Sequence, residues 1–282
     1  MNLIMNEIKR KTGLLLLCLL PLAQRAAAAE AEKTAVVPDV SEVISGHLLD
    51  RQPGLVYMEA DPEKGWYSFP VDHNQALKEA AARMAEKNGL IVPIFPTVCV
   101  PVESSDTGYY NYVLRDGGIK KGDKVLVVGS GSGADSWLAW LNSGSDIYAL
   151  DINPLAVANT RALAALAGFR LHSVVGDITA VTLPEGFSGF DHVLANMPYL
   201  EGDAASYEGK AFLDGDDGRV LDGFLARLPG LLKPGGKAVL LNTEEALRRI
   251  KAKGVFGVKV LPSGAPNTKL ILLSNGKEAG TK

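Results

Sequence analysis

Cysteine is nearly absent from this chain of 282 residues: there are only Cys18 and Cys99. One of them lies in an N-terminal apolar run, so a disulfide framework is excluded as the basis of the fold. Histidine is equally sparse. His47, His73, His172 and His192 are far apart, with no HxH, HExxH or Cys-flanked spacing, so no metal site is expected. Basic excess is missing too: the formal net charge is −3, whereas a non-specific nucleic-acid binder needs a basic face for phosphate. No apolar run reaches the roughly 20 residues of a membrane-spanning helix, so no permanent span is expected. There is no internal repeat.

What is present begins with a three-part leader. "MNLIMNEIKRK" is basic, "GLLLLCLLPLA" is apolar, and "QRAAAAEAEK" offers small residues at an Ala-x-Ala site. That pattern is a secretory signal peptide over 1–29, with export as the expectation and an uncleaved tether on the cytoplasmic face as the alternative. Cleavage near Ala29 removes four basic side chains and one acidic one, moving the formal charge from −3 to −6. The remaining length is ample for a full hydrophobic core.

Residues 30–117 read as an N-terminal extension and 118–282 as the main domain. In the extension, Leu77, Ala80, Ala81 and Met84 recur at helical spacing, predicting an amphipathic helix that ends near Lys87. "GLIVPIFPTVCVPV" is apolar but interrupted by Pro93, Pro96 and Pro101, which suits an extended or edge segment. From Lys120 on, "DKVLVVGSG", "DIYALD", "LHSVVGD", "DHVLANM", "KAVLLN" and "KLILLS" are short apolar runs, and helical stretches such as "NPLAVANTRALAALAG" lie between several of them. Fully apolar strands alternating with helices predict an α/β fold with a doubly wound, mostly parallel sheet.

The first of these strands runs into "GSGSGADS". Gly129, Gly131 and Gly133 allow a sharp turn and close backbone approach to a ligand, ahead of a helix beginning near Ala134. The spacing is GxGxG, not the GxGxxG of a dinucleotide site, and no Lys-Ser/Thr pair follows to make a P-loop. The next strand ends on Asp151, where a carboxylate can accept from both hydroxyls of a ribose. The third leads to Asp177, suited to an adenine amino group, although either aspartate could instead cap a turn. Together they outline an adenosine site with little room for phosphate.

The fourth strand closes on "LANMPYL". The side-chain carbonyl of Asn196 and the main-chain carbonyl of Met197, held extended by Pro198, are two acceptors that can grip both hydrogens of an –NH2 group. Such a grip aims a delocalised nitrogen lone pair at an electrophile without a strong base, and Tyr199 can lie against the acceptor's planar face. Trp137 and Trp140, one helical turn apart, read as packing residues.

"VLVVGSGSG", "LDINPLAVANTRALA", "VVGDI" and "ANMPY" resemble the successive motifs of class I S-adenosylmethionine-dependent methyltransferases, nearest the NPPY-motif group that includes the protein release factor glutamine methyltransferases. The resemblance covers roughly residues 100–243 and implies a Rossmann-like sheet of seven strands with S-adenosyl-L-methionine as cofactor. It implies that Gly129, Ser130, Gly131 and Gly133 hold the methionine part, that Asp151 binds the ribose and Asp177 the adenine, that Ile152 and Ile178 also contact the cofactor, and that Asn196, Pro198 and Tyr199 seat the acceptor. Two positions depart from the pattern. Val127 stands where an acidic residue usually precedes the loop, and Met197 replaces the first proline of NPPY. The implied partner is a protein or small-molecule methyl acceptor; the acidic stretch "EGDAASYEGKAFLDGDDG" disfavours nucleic acid. An exported, non-catalytic binding protein of the same fold is the alternative expectation, and a nicotinamide oxidoreductase is disfavoured by GxGxG.

Overall fold

The computed structural model describes residues 55–63, 66–71, 74–99, 107–114, 118–215, 217–264 and 267–275. The expected leader and the expected cleavage near Ala29 fall outside these residues.

The first unit is a three-stranded antiparallel sheet of β1 (Val56–Asp61), β2 (Trp66–Val71) and β3 (Leu90–Ile94), in the order β2-β1-β3. Helix α1 (Asn74–Glu86) lies within it in sequence and buries Leu77, Ala80 and Met84, the stripe expected from the spacing. Arg83 and Lys87 extend from this region to the largely buried carboxylates Glu59 and Asp61 at 2.7 and 3.0 Å. β3 carries Pro93 and is an edge strand, where a missing N–H costs no ladder bond. After α2 (Thr107–Leu114) comes the main sheet.

Its strands are β4 (Val125–Val128), β5 (Ile147–Asp151), β6 (Leu171–Val175), β7 (Phe190–Asn196), β8 (Leu232–Asn242), β9 (Phe256–Leu261) and β10 (Lys269–Asn275). They stand in the order β6-β5-β4-β7-β8-β10-β9, all parallel except β10, which is antiparallel to both neighbours. Strand order reverses at β4, so β4 and β7 flank the crevice where a doubly wound sheet binds its ligand.

Pleating divides the core in two. Val127, Leu194, Val239 and Leu241 face α3 (Ala134–Ser143), α4 (Pro154–Ala167) and the N-terminal sheet. Leu126, Val128, Val193 and Leu240 face α6 (Arg219–Leu231) and α7 (Glu244–Lys253). Between β7 and α6 lies the short α5 (Tyr207–Lys210).

Local chemistry sets the helix ends. Asn153 caps α4 by accepting the Leu155 N–H, Pro154 occupies its first turn, and Gly168 closes it in the left-handed region. Thr243 caps α7, whose first turn holds Glu244 and Glu245 and whose last holds Lys251 and Lys253, matching the helix dipole at both ends. Trp137 is buried and Trp140 stacks on Phe169, so both tryptophans serve packing. Among the described residues, no helix is long and apolar enough to cross a membrane.

Candidate functional site

The turn after β4 is built by its own backbone. The N–H groups of Gly129 and Ser130 both donate to Leu150 O of β5, at 2.8 and 3.2 Å, and the Gly133 N–H returns to Ser130 O at 2.8 Å. Gly129, Gly131 and Gly133 have φ of +72°, +51° and +87°, the left-handed region that side chains other than glycine rarely adopt. They differ in surroundings. A Cβ on Gly129 would lie 3.9 Å from Asn196 O and one on Gly131 4.0 Å from Gly129 O, ordinary contact distances, so neither backbone is crowded. A Cβ on Gly133 would meet Thr160 Cα and Leu163 Cδ2 at 3.0 Å, so Gly133 permits α4 to pack against the loop.

Asp151, at the end of β5, is tied to this loop. Its Oδ2 accepts the Gly131 N–H at 2.9 Å and its Oδ1 accepts the Asn153 N–H at 2.8 Å. Burial pushes its carboxyl above the ordinary carboxylate range, against the opposing pull of the backbone N–H groups of Asn153, Gly131 and Ile152. Three backbone donors leave the carboxylate one further lone pair. Asp177 lies one strand further out, beyond β6, where its Oδ1 accepts the Thr179 N–H at 2.8 Å in a local turn. Ile152 is half-buried beside Asp151, and Ile178 is buried beneath Asp177.

The structure therefore brings Gly129, Gly131, Asp151 and the end of β7 together at one sheet edge. Position 129 faces Asn196 directly: the nearest atom to a Cβ there is Asn196 O. The Asn196 side chain is exposed, Met197 is buried and Pro198 is half-buried. Tyr199 is half-buried, and its N–H donates to Phe212 O at 3.1 Å, as does the Leu200 N–H at 2.9 Å. Val127 is wholly buried in the core beneath the loop. The usual acidic side chain is thus replaced by a packing residue.

Several polar residues that shape this edge were not singled out by sequence reasoning. Asn159 is fully buried on α4; its Oδ1 accepts the Phe95 N–H at 2.8 Å and its Nδ2 donates to Ser132 O at 3.0 Å. One amide thus joins the segment after β3 to the glycine loop. Asn153 Nδ2 lies 3.1 Å from Thr97 Oγ1, and Thr160 Oγ1 lies 3.0 Å from Ser130 Oγ. The available signal was "NT" at 159–160, a polar pair inside an apolar helix, because buried polar side chains need partners.

These residues fit an adenosine-bearing, phosphate-free cofactor: an uncrowded glycine backbone, a carboxylate one strand away, and a second carboxylate beyond it. Among the described residues no cluster of His, Cys, Asp or Glu could hold a metal ion.

Residues 119–257 match the methyltransferase domain family. A Methanocaldococcus jannaschii protein that carries the provisional name protein N5-glutamine methyltransferase is 32% identical over 186 residues, spanning 62% of this chain and 89% of the relative. A Shewanella loihica tRNA1(Val) (adenine(37)-N6)-methyltransferase is 27% identical over 166 residues, spanning 54% of this chain and 68% of the relative. The crystal structure of a ribosomal protein L11 methylase from Lactobacillus delbrueckii subsp. bulgaricus superposes with a TM-score of 0.48 at 18% identity, covering 66% of this chain and 84% of that one. The strand order, the glycine loop facing NMPY and the relatives agree: the chain belongs to the class I S-adenosylmethionine-dependent methyltransferases, and its cofactor is S-adenosyl-L-methionine.

Proposed function

We propose that the chain transfers a methyl group to an amide or amino nitrogen of a protein side chain or small molecule. The observation that carries this is the approach of Gly129 to Asn196, which sets an uncrowded loop backbone against an acceptor-rich strand end. The loop of Gly129, Ser130, Gly131 and Gly133 cradles the methionine part of the cofactor. Asp151 with Ile152 takes the ribose, and Asp177 with Ile178 the adenine. Bound there, S-adenosyl-L-methionine would supply an electrophilic methyl carbon: the C–N bond would form as the C–S bond breaks, with S-adenosylhomocysteine as leaving group and the surplus N–H proton lost to solvent. Asn196 Oδ1 and the Met197 carbonyl hold the two hydrogens of the acceptor nitrogen and aim its lone pair, an orientation effect. Pro198 fixes that carbonyl, and Tyr199 borders the acceptor's path.

The names of both curated relatives place the methyl group on nitrogen, one on glutamine and one on adenine. The net negative charge of this chain favours a protein or small-molecule acceptor over nucleic acid. In a test with methyl-labelled cofactor and cell fractions, label is expected on nitrogen in the protein or metabolite fraction. Asn196→Ala should keep S-adenosylhomocysteine binding and lose turnover by at least about 100-fold. Label on RNA, or unaltered turnover in the variant, would refute the assignment.

A second reading draws support from Val127, whose burial removes a polar cofactor contact, and from the leader-like residues 1–29. It is an exported binding protein that retains the fold without catalysis. Cofactor binding by a chain that labels no fraction would favour it.

A further inference from the structure

Among the described residues, only two that are not glycine adopt the left-handed backbone: Asn88 at φ +54° and Thr97 at φ +64°. Asn88 follows the end of α1, where asparagine commonly closes a helix in this conformation. Thr97 is a different case. It lies in the segment after β3, it is 9% exposed, and a β-branched residue at positive φ is strained.

The turn that imposes this conformation is local. The Val98 N–H donates to Phe95 O at 3.3 Å, closing Phe95, Pro96, Thr97 and Val98 into a tight turn with proline second and the positive φ third. That is the type II pattern, whose third position favours glycine. Nothing in the turn itself calls for threonine, so strain held at this position points to a role for the side chain.

The hydroxyl and the carbonyl of Thr97 meet one amide. Asn153 Nδ2 donates to Thr97 Oγ1 at 3.1 Å and to Thr97 O at 3.3 Å, across 56 residues of chain. Asn153 is buried, and its other groups are equally committed: Oδ1 accepts the Leu155 N–H at 3.0 Å, and the main-chain N–H donates to Asp151 Oδ1 at 2.8 Å. Asp151 Oδ2 in turn holds the Gly131 N–H. An unbroken series of contacts therefore runs from the turn after β3, through Asn153, to the carboxylate assigned to the ribose and on to the glycine loop.

We propose that Thr97 is a positioning residue for cofactor binding: by holding the Asn153 amide, it lets the N-terminal extension set the direction in which Asp151 meets the ribose. This rests on the assignment of Asp151 to the ribose above. The test titrates S-adenosylhomocysteine, and its analogue lacking both ribose hydroxyls, into the full chain and into its Thr97→Gly, Thr97→Val and Thr97→Ser variants, with urea midpoints measured in parallel. Glycine relieves the strain but removes the hydroxyl. Valine removes the hydroxyl and keeps the strain, and serine keeps the hydroxyl.

The parent chain should prefer S-adenosylhomocysteine over the analogue, and Thr97→Gly and Thr97→Val should each reduce that preference at least about fivefold. Only Thr97→Val should also lower the urea midpoint, because the glycine variant trades the lost bond against relieved strain. Thr97→Ser should keep the preference. A preference that follows the urea midpoint across the variants, or one that Thr97→Gly leaves unchanged, would overturn the proposal, as would a Thr97→Ser chain impaired as much as Thr97→Gly. A parent chain that binds both ligands equally, or an Asp151→Ala chain that keeps the parent's preference, would instead strike at the ribose assignment.

Discussion

Asp151 and Gly131 are 20 residues apart in sequence, yet the aspartate's Oδ2 accepts the glycine's N–H at 2.9 Å. The carboxylate thereby shapes the loop as well as presenting itself to a ribose. Asp151→Ala should lower S-adenosylhomocysteine affinity by tenfold or more, since a hydrogen bond to a charged group contributes about 1.5–3 kcal/mol. Asp151→Asn keeps one acceptor oxygen and should fall between. Calorimetric titration of the three chains measures this, and equal affinities would remove Asp151 from the site.

Gly133 offers a sharper test of the loop. Gly133→Ala combines φ of +87° with contacts at 3.0 Å to Thr160 Cα and Leu163 Cδ2, so a loss of about 2 kcal/mol or more is expected. Gly144→Ala has comparable backbone strain, φ +63°, but open space around the new methyl group, so about 1 kcal/mol should be lost. Urea unfolding of the pair separates crowding from strain, and equal costs would mean that the packing of α4 on the loop is not tight.

The buried amide of Asn159 gives a third prediction. Asn159→Leu leaves the Phe95 N–H and Ser132 O without their partner, which should cost about 2–4 kcal/mol and weaken cofactor binding as well. A variant destabilised to that extent but with unchanged cofactor affinity would show that the link to the loop is purely structural.

Stability should also depend on pH through His192. Burial holds its imidazole below the ordinary histidine value of 6.5, outweighing the opposing charge and hydrogen bond of Asp123, while Lys237 and Lys120 reinforce the depression. Its Nε2 lies 3.1 Å from Asp123 Oδ2, whereas its buried Nδ1 has no partner among the described residues. Charging the ring would place a second N–H where nothing accepts it. A folded-state value below the unfolded one means that the contribution is complete above about pH 6.5 and is lost as pH falls through the folded-state value. His192→Gln should therefore show a flatter decline of Tm between pH 7 and pH 5 than the parent chain, and parallel curves would discount His192.

Much of the main sheet was legible because its strands are buried on both faces and so are apolar at every position, as in Val125–Val128, and because Asn153, Pro154 and Gly168 mark the ends of α4 explicitly. The edge role of β3 was legible in Pro93, and the crevice in the adjacency of GSGSG to NMPY. The N-terminal sheet was not. β2 is short, carries Pro70, and is specified by pairing with β1 through a register shift that no local pattern announces. Strand β9 was missed for a related reason: Val258 and Val260 alternate with Lys259 on an edge, which leaves only a weak signal.

The bond from Phe95 to Asn159 spans 64 residues of chain. In kinetic terms, the segment that follows β3 must wait for a helix synthesised much later before its backbone is satisfied, and the glycine loop receives its last support in that same event. Contacts of such separation carry a large loop-closure cost and slow the search for the native state. Competence to bind the cofactor should therefore arise late in refolding, after the central strands have paired, and a chain halted before α4 emerges would hold the whole N-terminal sheet with no ligand pocket at all.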